Sequence, residues 1–189
     1  MDRHSHGAEL ARWGRARLCQ ELGGPLAVPP SGAWCEVPGA TFVTLRWTNG
    51  MLQGCRGTLV PLRPIVADVG ENAVASALDD PRSSPVRRLA DVDRLDLELS
   101  ILSPQEPIAF GSTEREALSA LRPGVDGIVF EWRGRRATFL PSMWQQLPDP
   151  RRFMAELKMK AGFDAGFWDP AVRLFRYEAD KHSDPAKGA

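Results

Sequence analysis

The stretch from Ala40 to Val60 constrains this chain more than any other. Residues 40–48 (Ala-Thr-Phe-Val-Thr-Leu-Arg-Trp-Thr) are rich in β-branched and aromatic side chains, Asn49-Gly50 follows, and 51–60 reads as a second strand. Asn-Gly between two such runs predicts a two-residue type I′ hairpin, because both central positions need a positive φ. Paired residue numbers then sum to 99, which sets Cys55 opposite Thr44 and Gln53 opposite Arg46. Directly opposed residues share a face. Thr44, Arg46, Gln53 and Cys55 therefore fall on one face, and Val43, Leu45, Trp47, Leu52 and Gly54 on the other, more apolar one.

Helices and further hairpins interleave around this unit. Residues 7–22 carry Leu10, Trp13, Leu18 and Leu22 near helical spacing, and Gly23-Gly24-Pro25 stops them. Pro64 opens a helix to about Asp79, ended by Asp80-Pro81. Residues 95–102 alternate strictly, with Leu95, Leu97, Leu99 and Ile101 opposite Asp96, Glu98 and Ser100, the pattern of a strand with one wet face. A short helix is expected over 113–121, capped by Ser112 or Thr113. Then come a second hairpin turning at Arg133-Gly134, a helix from Asp149-Pro150 to Ala161, and a last strand over 171–177. The polar tail after Asp180 is expected to fray. No run of βαβ units appears, so the class is α+β: an antiparallel sheet flanked by helices.

Composition narrows the chemistry. The 24 basic and 24 acidic side chains cancel, so no global field draws the protein to nucleic acid or to a membrane. The first residues are polar and no apolar run is long enough to span a bilayer. Three widely spaced cysteines with no paired metal-ligand spacing fit a reduced, cytoplasmic setting and no metal. The only histidines are His4, His6 and His182, near the termini, which disfavours a Ser-His-Asp triad, a Cys-His dyad or a His-ligated zinc.

Cys55 is the sharpest candidate for chemistry. It sits in Gly54-Cys55-Arg56-Gly57 among Thr44, Arg46 and Gln53. A nearby guanidinium from Arg46 or Arg56 would favour the thiolate, and the glycines would let a ligand or another backbone come close. A free cysteine is equally a small buried hydrophobe. Glu98 and Ser100 project from the wet face of their strand, with Asn72 and Arg82 on or after the preceding helix. Glu98 would act as acid or base and Arg82 as an anion clamp; the alternative is solvated strand positions and helix-end capping. Arg133, Arg135 and Arg136 read as an ordinary charged turn, and the aromatic residues between Phe130 and Trp168 as core.

Taken together the motifs resemble the AMMECR domain family. The carriers are Gly-Met-Leu-Gln-Gly-Cys-Arg-Gly-Thr (50–58), Glu-Asn-Ala (71–73), Asp-Pro-Arg (80–82) and Glu-Leu-Ser-Ile-Leu-Ser-Pro (98–104). Further blocks are Pro-Gly-Val-Asp-Gly-Ile (123–128), Ala-Thr-Phe-Leu-Pro-Ser-Met-Trp (137–144) and Lys-Ala-Gly-Phe (160–163), with Trp168 and Tyr177. The resemblance spans roughly 7–178. It departs at Gln53, where the family has Arg, at Arg56, where it has Ile, and at Lys158, where it has Cys. It implies a larger part (about 7–60 and 95–180), a small mainly helical insert (about 61–94), a cleft between them, and a polar tail (181–189). It also implies a pathway shared with a Memo-like protein and a radical SAM protein; no cofactor is expected. Two functions stay open: a cleft around Cys55 that binds or transforms a small or nucleotide-like substrate, and a non-catalytic binding or scaffold subunit.

Overall fold

The structure, a computed structural model, describes residues 3–187. The chain divides into two compact units: residues up to Leu102 together with those from Asp180 onward, and Ser103–Ala179. This division replaces the expected 61–94 insert. Residues 65–78 form a helix that packs on the sheet of the first unit, so nothing separates them from it.

The first unit opens with helix α1 (Arg3–Glu21). Strand β1 (Pro38–Gly39) pairs with β4 (Arg63–Pro64), and between them lie β2 (Thr41–Trp47) and β3 (Leu52–Gly57). Helix α2 (Ile65–Leu78), the single turn α3 (Leu89–Val92) and strand β5 (Leu95–Leu102) follow. The sheet runs β10-β5-β2-β3, where β10 is Ala179–Asp184. One face carries Val43, Leu45, Leu95, Leu97, Leu99 and Ile101. They bury against Leu10 and Leu18 of α1 and Val69, Ala73 and Ala77 of α2. The alternation read at 95–101 therefore marks the core side correctly. A buried polar joint holds α2 to the start of β2: Asp68 accepts from the Thr41 amide (2.9 Å) and hydroxyl (2.6 Å), and Asn72 donates to the Thr41 carbonyl (3.1 Å).

The expected frayed tail is instead an edge strand. Arg15, 4% exposed on α1, donates to the Leu95 carbonyl (2.8 Å) on β5 and to the Asp184 carbonyl (2.6 Å) on β10, and its Nε pairs with the Asp184 carboxylate. The buried guanidinium ties the tail to α1 and β5, and the pairing of β10 with β5, Lys181 on Glu98 and the Ala186 amide on Asp96 complete the attachment. A polar sequence concealed this, since an edge strand needs few apolar residues of its own.

The second unit contains β6 (Glu106–Pro107), α4 (Glu114–Ser119), β7 (Gly127–Trp132), β8 (Arg135–Phe139), α5 (Pro150–Lys160) and β9 (Arg173–Tyr177), with sheet order β6-β9-β7-β8. Ile128, Phe130, Ala137 and Leu174 meet Phe153, Met154 and Leu157 of α5 in its core, where Trp144 stacks on Phe153 with ring centroids 3.8 Å apart. Thr113 and Glu116 close a capping box on α4, and Asp149 caps α5 ahead of Pro150.

The second hairpin turns at Arg133-Gly134 as expected, but the two-residue turn with both φ positive (44° and 79°) lies there and not at Asn49-Gly50. At the other hairpin only Gly50 is positive (φ 84°), and the loop is three residues, Thr48-Asn49-Gly50, closed by Trp47 N–H to the Met51 carbonyl at 2.9 Å. Two bonds, one long-range and one local, explain the difference. The Thr48 amide is held by the Arg94 carbonyl, and the Asn49 side chain accepts from the Met51 amide (3.0 Å). These keep Thr48 and Asn49 in ordinary turn geometry, with Gly50 supplying the left-handed residue.

Candidate functional site

The three-residue turn shifts the hairpin register by one, setting Arg46 opposite Leu52. A bulge at Gln53 then shifts it back, so Leu45 faces Gly54 and Thr44 faces Cys55. The expected Thr44–Cys55 pair is therefore present, reached by two compensating irregularities. Gln53 is not beside it. Its side chain turns to the α2 side, accepting from Trp47 Nε1 (3.0 Å) and donating to the Ser84 carbonyl (2.8 Å) and the Ala77 carbonyl (3.3 Å). Arg56 also leaves the Cys55 face, because it lies opposite Val43.

What remains is a row across three strands. Cys55 on β3 faces Thr44 on β2, which faces Glu98 on β5. The Thr44 hydroxyl donates to the Cys55 sulfur at 3.2 Å. Lys181 of β10 extends the row, with Nζ 2.8 Å from a Glu98 carboxylate oxygen. Ser100 and Arg46 lie on the same face, two residues along their strands from Glu98 and Thr44. Ser100 is buried opposite Phe42, and the exposed Arg46 donates to the Gly50 carbonyl at 3.3 Å. Beside the row, Thr44, Arg46, Asp96 and Glu98 meet Ser183 to Pro185 around a depression of about 220 Å³. All these residues belong to the first unit.

Backbone packing shapes the Gly-Cys-Arg-Gly segment. A β-carbon on Gly54 would fall inside the Ser76 carbonyl of α2, and one on Gly57 inside the Phe42 ring. Both glycines thus admit parts of this chain, one on each face of β3. The free edge of β3 is capped from α2 and its exit: the Cys55 amide donates to Asp80 (2.8 Å), and the Arg56 amide to Ser76 Oγ (2.9 Å). Arg82 binds Asp80 through Nε (2.9 Å) and Nη2 (2.6 Å) and reaches the Cys55 carbonyl at 3.5 Å. The Arg82 hydrogen bond, with the Cys55 amide adding to it, holds the Asp80 carboxyl well below the usual carboxylate range. Asp80 is the site residue that sequence reasoning missed; Asp-Pro-Arg reads as a helix stop and gives no hint of a partner on β3. Asn72 belongs to the Thr41 joint on the core side.

Magnitudes decide what this row can do. Neighbouring strands lie about 4.8 Å apart, so Cys55 and Glu98, two strands apart, have backbones separated by roughly 10 Å. Glu98 is too far to take the thiol proton directly. A group spanning Thr44 would meet both. Of the nearby cations, Arg46 donates to a carbonyl at the turn, while Arg82 pairs with Asp80 and also reaches Cys55. Histidine is better placed than the sequence suggested, since His6 stacks on Trp34 (centroids 4.0 Å apart) and His182 packs on α1 at Gly7. Among the described residues no three His, Cys, Asp or Glu side chains group closely enough to hold a metal ion, and no helix is long and apolar enough to cross a membrane.

An α+β chain of two compact units, with a Thr-Cys-Glu row on the sheet face opposite the helices α1 and α2, defines the structural class. The chain belongs to the AMMECR1 family, whose model matches residues 12–182. A protein of Methanothermobacter thermautotrophicus is 36% identical over 140 residues, covering 73% of this chain and 71% of its own length. One from Thermotoga maritima is 32% identical over 142 residues, covering 75% of each. The crystal structure of the uncharacterised protein PH0010 from Pyrococcus horikoshii matches with a TM-score of 0.85 at 28% identity, over 98% of this chain and 95% of that one.

Proposed function

We propose that the Cys55–Thr44–Glu98 row contacts a small or nucleotide-like substrate, in a pathway shared with a Memo-like protein and a radical SAM protein. The observation that carries this is the pairing of a partly exposed thiol, a hydroxyl and a carboxylate in one register across β3, β2 and β5. In the catalytic form of the reading, Cys55 contacts one end of the ligand, Thr44 orients the sulfur, and Glu98 exchanges a proton with a ligand group above Thr44. The row thus works through the ligand rather than as a dyad.

A second reading, a non-catalytic binding or scaffold subunit, draws on the engagement of Glu98 by Lys181, Arg46 by Gly50 and Arg82 by Asp80. These contacts are those of a finished surface that recognises a partner. An untargeted metabolite pull-down comparing the wild type with Cys55→Ala discriminates the two. A small molecule held by the wild type and released by the variant supports the substrate site. Identical metabolite profiles with both proteins folded remove it and leave the scaffold reading.

A further inference from the structure

The second unit has a depression of its own, remote in sequence from the Cys55 row and lined by both charged and apolar side chains. Glu114, Arg115 and Leu118 of α4 meet Arg151, in the first turn of α5, and Ala165 around about 350 Å³. Under its rim lies Lys158, 1% exposed, whose ammonium donates to Glu114 at 2.8 Å. A buried ammonium needs a fixed partner, so Glu114 is held in place rather than left to roam. The other acidic side chains near these helix ends are also committed: Glu116 accepts from Thr113, and Asp149 from the Arg152 amide.

Arg115 and Arg151 stand differently. Among the described residues neither guanidinium is hydrogen-bonded or ion-paired to a carboxylate; Arg115 acts on Glu116 only through its field. Two cations on separate helices therefore border one hollow, and the single carboxylate there is already neutralised from below by Lys158. The balance at the rim is positive, in a chain whose total charge is zero. An anion entering the hollow relieves the repulsion and gains charge-assisted hydrogen bonds from planar donors.

We propose that this hollow binds a small organic phosphate. Two guanidiniums approaching from different helices suit a phosphate, which offers oxygens in several directions, better than a carboxylate, which one guanidinium satisfies in its plane. Leu118 and Ala165 supply an apolar contact for the rest of the molecule. Glu114, with Lys158 on one side, presents its remaining oxygen capacity to a hydroxyl or amino group of the ligand. The ligand class is therefore a phosphomonoester with an apolar body and a hydrogen-bond donor away from the phosphate. The site is independent of the Cys55 row.

Calorimetric titration of the full chain with phenyl phosphate at low salt tests this, with inorganic phosphate and benzyl alcohol as the two halves of the probe. The expected result is saturable millimolar or tighter binding of phenyl phosphate, weaker binding of inorganic phosphate, and none of benzyl alcohol. Arg115→Ala and Arg151→Ala, both at exposed positions, should each weaken binding about tenfold, with unfolding temperature unchanged. Amide shifts in a nitrogen-15 spectrum should concentrate at 114–118, 151 and 165. Absence of binding up to about 10 mM, affinity untouched by either substitution, or shifts mapping elsewhere would each overturn the proposal.

Discussion

Cys55 differs from the other two cysteines in what surrounds it. Burial pushes the Cys19 and Cys35 thiols up, so each carries less thiolate at neutral pH; Cys35 is also closed to reagents at 3% exposure. Brief iodoacetamide treatment followed by mass spectrometry should label Cys55 first, Cys19 more slowly and Cys35 last. Labelling of Cys35 ahead of Cys55 contradicts the placement. Asp80 gives a prediction in pH. Its carboxyl titrates below the unfolded value of about 3.9, so its stabilisation is present above that pH and is lost as pH falls through it toward the folded value. Arg82 is largely exposed, so solvent screens the ion pair and most of the effect lies in the hydrogen bonds to Asp80. Asp80→Asn should therefore lower neutral-pH stability by about 1–3 kcal/mol and flatten the acid limb below about pH 4. Urea titrations across pH 2 to 7 would check both, and an acid limb as steep as the wild type's rejects the assignment.

Among the elements, what the sequence made legible was what periodicity controls. The alternation at 95–101 placed the core face of β5, Pro64 and Asp80-Pro81 bounded α2, and the caps placed α4 and α5 within a residue or two, because each depends on local chemistry. Long-range bonds set the rest. Asn49-Gly50 lost its expected turn to a carbonyl on Arg94, which lies far away in the chain, and Gln53 left the Cys55 face because a bulge turned it toward the exit of α2. Strand β10 was invisible for a similar reason, since its anchor is Arg15 at the opposite end of the chain. That anchor is testable. Asp184→Ala removes the carboxylate partner of a buried guanidinium, leaving only carbonyl acceptors. The expected loss is roughly 2–4 kcal/mol, read as a lower urea midpoint with early exchange of the β5 and β10 amides. A midpoint equal to the wild type's shows that β10 holds without the pair.

At the scale of the whole molecule, two cores are built by different strategies. The first unit buries aliphatic residues between two helices and one sheet face, leaving the opposite face for Cys55, Thr44 and Glu98; the second is packed with aromatic rings around Phe153. The family was readable from ordered blocks along the chain, whereas the two-unit division was not, because the segment from Asp180 onward returns to the first unit. The account rests on the Cys55 sulfur meeting a ligand instead of filling core, and turnover by Cys55→Ser tests that most directly. The exchange of sulfur for oxygen beside the Thr44 hydroxyl should cost about 1 kcal/mol or less, so the variant can be assayed at matched folded concentration. In a reconstituted mixture with the proposed partners, a Memo-like protein and a radical SAM protein, the account predicts a folded variant whose turnover is lost. Full turnover by that folded variant contradicts it.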